Sequence, residues 1–593
     1  MKGCTRRTAL SSRDHLMSPM PDRTQPPRAA EPWAQRMTHP VQPVPLKSES
    51  GQTAATRYGS LPSMNGLDAS ACYRAMQTRD ARFDGRFFTA VRTTRIYCRP
   101  ICPARTPRFE NCTFYPSAAG AQEAGYRPCL RCRPETSPDL AFWRGTSNTV
   151  ARALALIAEG GLDDDDAGVE ELAGRLGVGD RQLRRLFQQH LGASPVAVAQ
   201  TRRVLFARQL LHETTLPMAE VALASGFRSV RRFNDVFRAL YGRPPSALRR
   251  SRAPVGDAAA GVTLFIPYQP PYDWEAMLAH LEARALPGLE HIEAGRYRRT
   301  VATAGGQGAV EVFRAPGRDG LLATLRLPQV QALPTVVGQV RRVFDVGADM
   351  DVIREHLSRD PHLAPLVSLR PGLRAPGGWD GFELAVRAVL GQQVTVAAAR
   401  GLGARLVAAY GEPAGVASTG DARLMRTFPR PERLAQEDLS SLGMPAARAR
   451  TLSSLAAAAA ADPRLFQPRA TLEEAVERFK RIPGIGDWTA QYIALRAVRE
   501  TDAFPSADVA LLRALTGEDG VRPSPDEALR RSAAWSPWRA YAAQHLWAAD
   551  AARPGPTPHL SRSSSRQRDD DAPTAAFAHG PRPHAHRLDA GRL

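Results

Sequence analysis

The chain runs to 593 residues with a formal net charge of +20 and a pI near 10.4. One core seldom holds so many residues, so three or four domains are expected; the positive excess points to a polyanion, nucleic acid before membrane. No apolar run reaches the roughly eighteen residues that a bilayer span needs, and no apolar leader core is visible, so a cytoplasmic, nucleoid-associated protein is expected.

The seven cysteines are Cys4, Cys72, Cys98, Cys102, Cys112, Cys129 and Cys132. None follows Cys132, which excludes a cysteine nucleophile from the rest of the chain. An odd count in a cytosolic protein argues against a disulfide framework.

Residues 1–63 are rich in Pro, Ser, Thr and Arg without periodicity and are expected to be a disordered extension. Met64-Asn65-Gly66-Leu67-Asp68 reads as a natural start. Residues 64–140 form a small module in which Phe87, Phe88 and Val91 predict a strand. Cys98 and Cys102 are spaced C-x3-C, and Cys129 and Cys132 C-x2-C. Two close pairs this far apart suit one tetrahedral Zn²⁺, each pair supplying two thiolates. Such a site is often only a structural staple. Cys112 stands alone and reads as a small core residue.

The run R-T-T-R-I-Y-C-R-P-I-C-P-A-R, followed by Y-R-P-C-L-R-C, resembles the N-terminal domain of Ada-type adaptive response proteins. The resemblance implies that Cys98 takes a methyl group from a DNA phosphotriester. It also implies that Cys98, Cys102, Cys129 and Cys132 ligate one zinc ion, structural and catalytic at once. A metal-held thiolate is a soft nucleophile suited to a methyl carbon. Arg95, Arg99, Arg105, Arg127, Arg131 and Arg133 crowd the same module and are expected to hold phosphates.

Residues 148–252 read as helical and duplicated: Glu171-Leu172-Ala173 with Gly177 returns as Glu220-Val221-Ala222 with Gly226. Each half is helix, turn, helix. Leu183, Leu186 and Phe187, then Val230, Phe233 and Phe237, form the expected buried stripes. Arg181, Arg184 and Arg185, then Arg228, Arg231 and Arg232, lie at helix starts that would enter a major groove. A basic, solvated bundle is the bland alternative; duplication and basic helix starts together favour DNA binding. The segment resembles the AraC-type pair of helix-turn-helix units, down to G-A-S-P and Y-G-R-P-P-S-A-L-R. The run Asp163 to Asp166 reads as a solvated loop.

Residues 254–260 are an Ala/Gly-rich linker, and 260–372 mix short apolar strands with helices, beginning at Val262–Ile266 and Q-P-P-Y-D-W. From 378 to 550 the chain is helical. Phe382, Ala385, Val386, Val389 and Leu390 share one helix face. A later helix opens on a capping box, Thr471 with Glu474, and carries Leu472, Ala475, Val476 and Phe479 at helical spacing. Pro483, Gly484 and Gly486 break it, and a second helix begins at about Asp487 with Trp488, Ala490, Tyr492, Ile493 and Leu495. Backbone N–H groups at such a start suit a phosphate, although Gly-x-Gly alone fits any tight turn. Asp508, taken by itself, reads as a helix N-cap. Residues 551–593 are a patternless, disordered tail whose histidines lack ligand spacing.

From Val262 to Asp550 the chain resembles 3-methyladenine DNA glycosylase II of the helix-hairpin-helix superfamily. The resemblance implies an α+β N-terminal domain and an all-α glycosylase domain. It implies that the hairpin at Gly484 and Gly486 grips a DNA phosphate, that Asp508 serves the chemistry, and that Trp488, Tyr492 and Trp547 form the base pocket. His280 stands where a close relative has a pocket phenylalanine, and Gln393 where it has a wedging leucine. A glycosylase takes its base out of the stack. Electron-rich faces suit a cationic alkylated base, and a carboxylate suits the oxocarbenium charge that develops as the base leaves. Trp488 occupies the position of the lysine in lyase-active relatives, so no Schiff base forms and an abasic site is left, with no cofactor for this step.

The expected fold is multidomain and mainly α: a small zinc-bound α+β module, two helix-turn-helix units, an α+β domain and an all-α helix-hairpin-helix domain. The expected function is DNA alkylation repair joined to adaptive-response regulation. Two alternatives are a methylation-responsive transcription regulator with an inert glycosylase domain, and a glycosylase with a merely structural zinc module. An alkylguanine methyltransferase is excluded by the cysteine count. The partners expected are double-stranded DNA, alkylated or carrying an operator, and RNA polymerase, with no membrane and a monomeric chain.

Overall fold

The computed structural model describes residues 68–139, 148–162, 168–249, 261–517 and 520–553. The expectations for the extension 1–63, the Asp163 to Asp166 loop, the linker 254–260 and the tail beyond 553 lie outside the described residues.

Asp68 opens the described chain by capping helix α1 (Ala69–Thr78), accepting from Ser70 N–H at 2.9 Å. Four short strands follow: β1 (Phe88–Val91), β2 (Ile96–Cys98), β3 (Cys112–Tyr115) and β4 (Arg127–Pro128). They form one sheet in the order β3-β1-β2-β4. β2 runs antiparallel to β1, with Cys98 opposite Thr89, and parallel to β4, with Tyr97 opposite Pro128. That register sets Cys98, at the end of β2, beside the turn after β4 that holds Cys129 and Cys132. Helix α2 (Ala118–Glu123), capped by Ser117, buries Ala119 and Ala121. Cys112 is only half-buried, because β3 is the sheet edge; its thiol donates to Arg108 O at 3.3 Å. The core position expected for it is not found.

Six helices follow: α3 (Asn148–Ala158), α4 (Val169–Arg175), α5 (Asp180–Leu191), α6 (Pro195–Glu213), α7 (Met218–Ala224) and α8 (Val230–Tyr241). The pairs α4–α5 and α7–α8 are the two helix-turn-helix units, joined by the long α6. Both α5 and α8 stop at a left-handed glycine, Gly192 (φ 65°) and Gly242 (φ 67°). Leu183 and Phe187 are buried, as are Phe233 and Phe237, whose rings lie 4.7 Å apart. Val230, expected in the second stripe, is 39% exposed, because it is the first residue after the Ser229 cap and precedes the packed turn.

Next comes a five-stranded antiparallel sheet: β5 (Val262–Pro267), β6 (Glu290–Glu293), β7 (Arg296–Thr303), β8 (Gly306–Arg314) and β9 (Gly320–Arg326). Its order is β5-β9-β8-β7-β6. Helices α9 (Trp274–Glu282) and α10 (Leu333–Val343) pack on it through Trp274, Met277, Leu278, Val336 and Val340. β5 is an edge, and an edge leaves backbone groups unpaired. Here α6 covers it: Gln209 donates to Phe265 O at 2.7 Å, and Glu213 accepts from Phe265 N–H at 3.0 Å. One apolar cluster therefore runs from Val204 on α6 through α8 into the sheet and ends at Trp379.

The helical region contains α11 (Gly381–Leu390), α12 (Val396–Tyr410), α13 (Ala446–Ala461), α14 (Leu472–Lys480), α15 (Asp487–Ile493), α16 (Val509–Ala514) and α17 (Arg539–Ala551). Phe382, Ala385, Val386, Val389 and Leu390 are buried on one face of α11. Thr471 Oγ1 accepts from Glu474 N–H at 3.1 Å, whereas Glu474 Oε2 accepts from Ala470 N–H at 3.3 Å, one residue before the partner that a capping box predicts. α15 does not run on to Leu495 in α form: residues Ala494–Val498 make a π turn.

Buried charge joins the sheet to α11. Arg299 on β7 is 2% exposed and meets Glu383 at 2.8 Å and Glu290 at 3.6 Å. Arg387 meets the same two carboxylates at 2.8 and 2.6 Å, and Tyr297 donates to Glu290 at 2.6 Å. Burial pushes the Glu383 carboxyl up, but the two guanidinium groups outweigh it and hold the carboxyl below its ordinary range. Its contribution to stability is therefore present above the unfolded glutamate value and lost as pH falls through the folded one. Arg299→Met leaves two buried carboxylates with one cation. Urea unfolding at neutral pH is expected to show a loss of about 3–5 kcal/mol, and the acid-side fall in stability should begin at a higher pH than in the parent.

Candidate functional site

Two clusters concentrate chemistry. In the first, the sulfurs of Cys98, Cys102, Cys129 and Cys132 all lie within 4.8 Å of one another. Four thiolates about 2.3 Å from a tetrahedral zinc would stand about 3.8 Å apart, so the set fits the ion. Backbone amides orient two of them: Arg99 N–H donates to Cys132 Sγ at 3.4 Å and Arg131 N–H to Cys129 Sγ at 3.3 Å. Cys102, Cys129 and Cys132 are buried, and Cys98 is the partly exposed member.

The arginines around this cluster divide. Arg95, Arg105 and Arg131 are exposed, and Arg127 is half-buried. Arg99 and Arg133 turn inward, against the expectation that they face phosphates. Arg99 Nε donates to Asp84 at 2.8 Å, and its NH1 to Thr136 at 2.7 Å and to Cys132 O at 3.1 Å. Arg133 pairs with Glu135 at 3.0 Å and with Glu213 of α6 at 2.9 Å. Arg208 of α6 is fully buried; it donates to Cys129 O at 2.8 Å and stands 3.2 Å from Glu135. The thiolate turn is thus supported from the helix-turn-helix region.

The second cluster centres on Asp508. It caps α16: Oδ1 accepts from Ala510 N–H at 3.0 Å and Leu511 N–H at 3.1 Å. The same carboxylate accepts from both expected pocket tryptophans, Trp547 Nε1 to Oδ1 at 3.0 Å and Trp488 Nε1 to Oδ2 at 2.8 Å. Trp488 stacks on Tyr492 (5.5 Å, 15°), and Tyr492 meets Trp547 edge-on (6.1 Å, 66°). All three rings are half-buried.

Arg496 lies behind these rings, 5.0 Å from the Trp547 ring centre and 5.8 Å from that of Tyr492. It donates to Pro376 O at 2.8 Å and to Gln544 at 2.7 Å. Burial brings its guanidinium down to about 10. Burial alone would raise the Tyr492 phenol, but Arg496 and Arg284 outweigh it and lower it. His280, on α9, is near Arg284 and Arg496 too; burial first, then those cations, push its imidazole well below its ordinary value, so it is neutral at neutral pH. Sequence reading missed Arg496 and Arg284. Arg496 follows Trp488 and Tyr492 at four-residue steps on one helix face, a signal that was available.

In the hairpin, Gly484 has φ +85°, and a Cβ there would collide with Thr451. Gly486 has ordinary φ (−87°) and open space around it, and is the exposed residue ahead of α15. Gln393 is exposed, with φ +55°, in the turn between α11 and α12. Its neighbour Gln392 ties that turn to the hairpin, donating to Gly484 O at 3.1 Å and to Thr489 Oγ1 at 3.0 Å. At the other end of the chain Arg181, Arg184, Arg228 and Arg231 are all exposed at the starts of α5 and α8 or just ahead of them. Arg184 lies 3.7 Å from Asp180 and Arg231 4.0 Å from Asp235, both within one helix turn.

Four family descriptions match in chain order. They are "Metal binding domain of Ada" over residues 71–135, "Helix-turn-helix domain" over 172–251, "AlkA N-terminal domain" over 263–380 and "HhH-GPD superfamily base excision DNA repair protein" over 386–540. The chain is 35% identical over 283 residues to the DNA-3-methyladenine glycosylase 2 of Escherichia coli K12, covering 47% of this chain and 95% of that protein. Among solved structures, the 3-methyladenine DNA-glycosylase from Archaeoglobus fulgidus aligns at a TM-score of 0.43 with 20% identity, over 48% of this chain and 98% of its own. A Mycobacterium tuberculosis protein named "Probable bifunctional transcriptional activator/DNA repair enzyme AlkA" is 43% identical over 485 residues, 81% of this chain and 96% of that relative. With that identity across nearly the whole relative, the chain belongs to the family of AlkA-type bifunctional transcriptional activators and DNA repair enzymes, in which an Ada-type metal-binding domain and a helix-turn-helix domain are joined to an HhH-GPD glycosylase.

Proposed function

We propose that Trp488, Tyr492 and Trp547 receive an N-alkylated purine such as 3-methyladenine, flipped out of double-stranded DNA, and that Asp508 stabilises the oxocarbenium ion formed as the base leaves. The observation that carries this reading is the double indole clamp on the Asp508 carboxylate, which ties the charge to the walls of the pocket. A fixed carboxylate pays no reorganisation cost when positive charge develops at the sugar. The stacked rings offer π faces to a cationic base. The departing base keeps the electron pair of the glycosidic bond, and water completes the abasic product. No lysine stands at the Trp488 position, so the reaction stops there and needs no cofactor. The hairpin amides and the exposed Gln393 turn would hold the emptied duplex.

Cys98 is proposed as the methyl acceptor. Its exposure relative to the three buried cysteines supports that choice. Zinc bound to the four cysteines would keep their sulfurs deprotonated at neutral pH. The Cys98 sulfur then bonds to the methyl carbon as the methyl–oxygen bond of the phosphotriester breaks, and the electron pair stays on the departing phosphodiester. The formal charge of the site falls from −2 to −1, which weakens its repulsion of DNA phosphates. Arg181, Arg184, Arg228 and Arg231 would then hold an operator for longer. Two helix-turn-helix units in one chain suit a monomer, with RNA polymerase as the partner of the operator-bound form.

Three outcomes test these assignments. Asp508→Asn should lower release of 3-methyladenine from methylated duplex by at least about 10²-fold while duplex affinity stays close to that of the parent; undiminished release removes Asp508 from the chemistry. Gly486→Asp, whose Cβ has open space, should weaken binding to an abasic duplex without lowering the melting temperature, whereas Gly484→Ala should cost about 1–3 kcal/mol in urea unfolding because its left-handed backbone and Thr451 both resist a Cβ. After exposure to methylated DNA, mass spectrometry should find the methyl group on the Cys98 peptide and operator affinity should rise at low salt. A methyl group on Cys102, Cys129 or Cys132 refutes the acceptor, and no change in affinity refutes the charge switch.

A further inference from the structure

Arg152 sits on α3, in the regulator, and is 8% exposed. Its guanidinium faces the glycosylase and holds two segments of it at once. Nε and NH2 make a fork onto Glu500, Nε to Oε1 at 2.8 Å and NH2 to Oε2 at 2.8 Å. NH1 donates to Ala470 O. Glu500 is 8% exposed, so its carboxylate is as buried as the cation that meets it.

Both contacted segments lead directly to the reaction. Ala470 precedes Thr471, the cap of α14, which is the first helix of the hairpin. Glu500 begins the strap that links the π turn to Asp508. That strap is pinned at each step. Glu500 N–H donates to Ala494 O at 3.0 Å, and Arg499 meets Asp345 at 2.6 Å. Thr501 O accepts from Ala540 N–H at 2.9 Å, Asp502 meets Arg539 at 2.7 Å, and Phe504 N–H donates to Gln491 at 3.2 Å. Those anchors all belong to the glycosylase half. Arg152 is the anchor that the regulator supplies, and it fastens the strap to the hairpin entrance.

The surroundings fit a docked surface rather than one isolated pair. Arg175 of α4 donates to Gln467 at 2.6 Å, and Arg464 meets Glu171 at 3.2 Å. Gly177, at φ +67°, lies so close to Ala470 that a Cβ there would stand 2.9 Å from the alanine methyl. The first helix-turn-helix unit thus lies flush against residues 464–470.

We propose that Arg152 is a positioning residue for base excision, lent by the regulator to the glycosylase: it holds the Asp508 strap and the hairpin entrance in one fixed relation. The inference rests on the glycosylase reading above. Its physical basis is that a buried carboxylate deprived of its fork-geometry cation draws in water or shifts toward the surface, and a supporting shift of about 1 Å is enough to cost up to about 10²-fold in rate. Because the fork grips Glu500 on the strap to Asp508, whereas the hairpin turn keeps its separate tie from Gln392 to Gly484 O, loss of Arg152 should fall mainly on kcat.

The test uses the full chain with Arg152→Met, Arg152→Lys and Glu500→Gln, steady-state and single-turnover release from methylated duplex, and hydrogen exchange of the backbone amides from 500 to 511. Arg152→Met should lower kcat roughly tenfold or more with less than about twofold change in KM, and speed exchange across 500–511 while leaving β5–β9 unchanged. Arg152→Lys, which keeps the charge but not the fork, should recover part of the rate; if Arg152→Met does not fold, Arg152→Lys and Glu500→Gln must show the same kcat-weighted loss. A folded variant with parental kcat overturns the proposal, as does a loss confined to the melting temperature. If the parent protein releases no base, the glycosylase reading falls instead, and the exchange data still decide whether Arg152 holds the strap.

Discussion

Buried arginine–carboxylate pairs close the seams of this molecule. Arg299 and Arg387 share Glu383 and Glu290 where the sheet meets α11. Arg208 and Arg133 share Glu135 between the cysteine turn and α6. Arg152 meets Glu500 between α3 and the strap to Asp508. Breaking any of these pairs on one side strands a charge in a poorly solvated place, at a cost of several kcal/mol. Apolar packing alone tolerates sliding and repacking; a guanidinium fork does not, because its two parallel hydrogen bonds fix an angle as well as a distance. Part of the chain's arginine therefore serves these seams and is turned away from solvent.

This arrangement places both chemistries on one frame. The cysteine cluster is supported from α6 through Arg208 to the Cys129 carbonyl, and the same helix covers the β5 edge of the sheet through Gln209 and Glu213. The Asp508 cluster is held through the strap. Between them stand the two helix-turn-helix units, with Arg181, Arg184, Arg228 and Arg231 facing solvent. The shared apolar cluster from Val204 to Trp379 packs the helix-turn-helix region directly against the sheet. The metal-binding, DNA-binding and glycosylase parts of this AlkA-type chain are therefore packed modules rather than beads on a string.

What was legible in the sequence follows from how local each signal is. Cysteine spacing is local, so the four cysteines that cluster could be named, and the helix periodicities around Leu183, Phe233 and Phe479 could be read directly. The hairpin break at Gly484 is local too, since its left-handed φ is a backbone requirement. The misjudged points are those set by distant partners. Arg99 and Arg133 look like phosphate ligands in sequence, but Asp84 and Glu213 turn them inward. Cys112 looks like core, but β3 proves to be the sheet edge. The packing of Thr451 against Gly484 is a further reason for glycine there that the sequence does not show. The π turn after α15 has no periodic signature of its own, and the Arg152–Glu500 contact joins residues no motif relates.

In the proposed reading one chain performs two distinct alkylation-repair tasks at two sites, excision of a methylated base and acceptance of a phosphotriester methyl group. Duplex DNA carrying a radioactive methyl label on both its purines and its phosphates separates them in a single incubation with the purified full-length protein. The account predicts label in two fractions: free 3-methyladenine in solution, rising with time through many turnovers, and protein-bound methyl that saturates at one per chain. Label in neither fraction, or a protein-bound fraction alone with no released base, would contradict it.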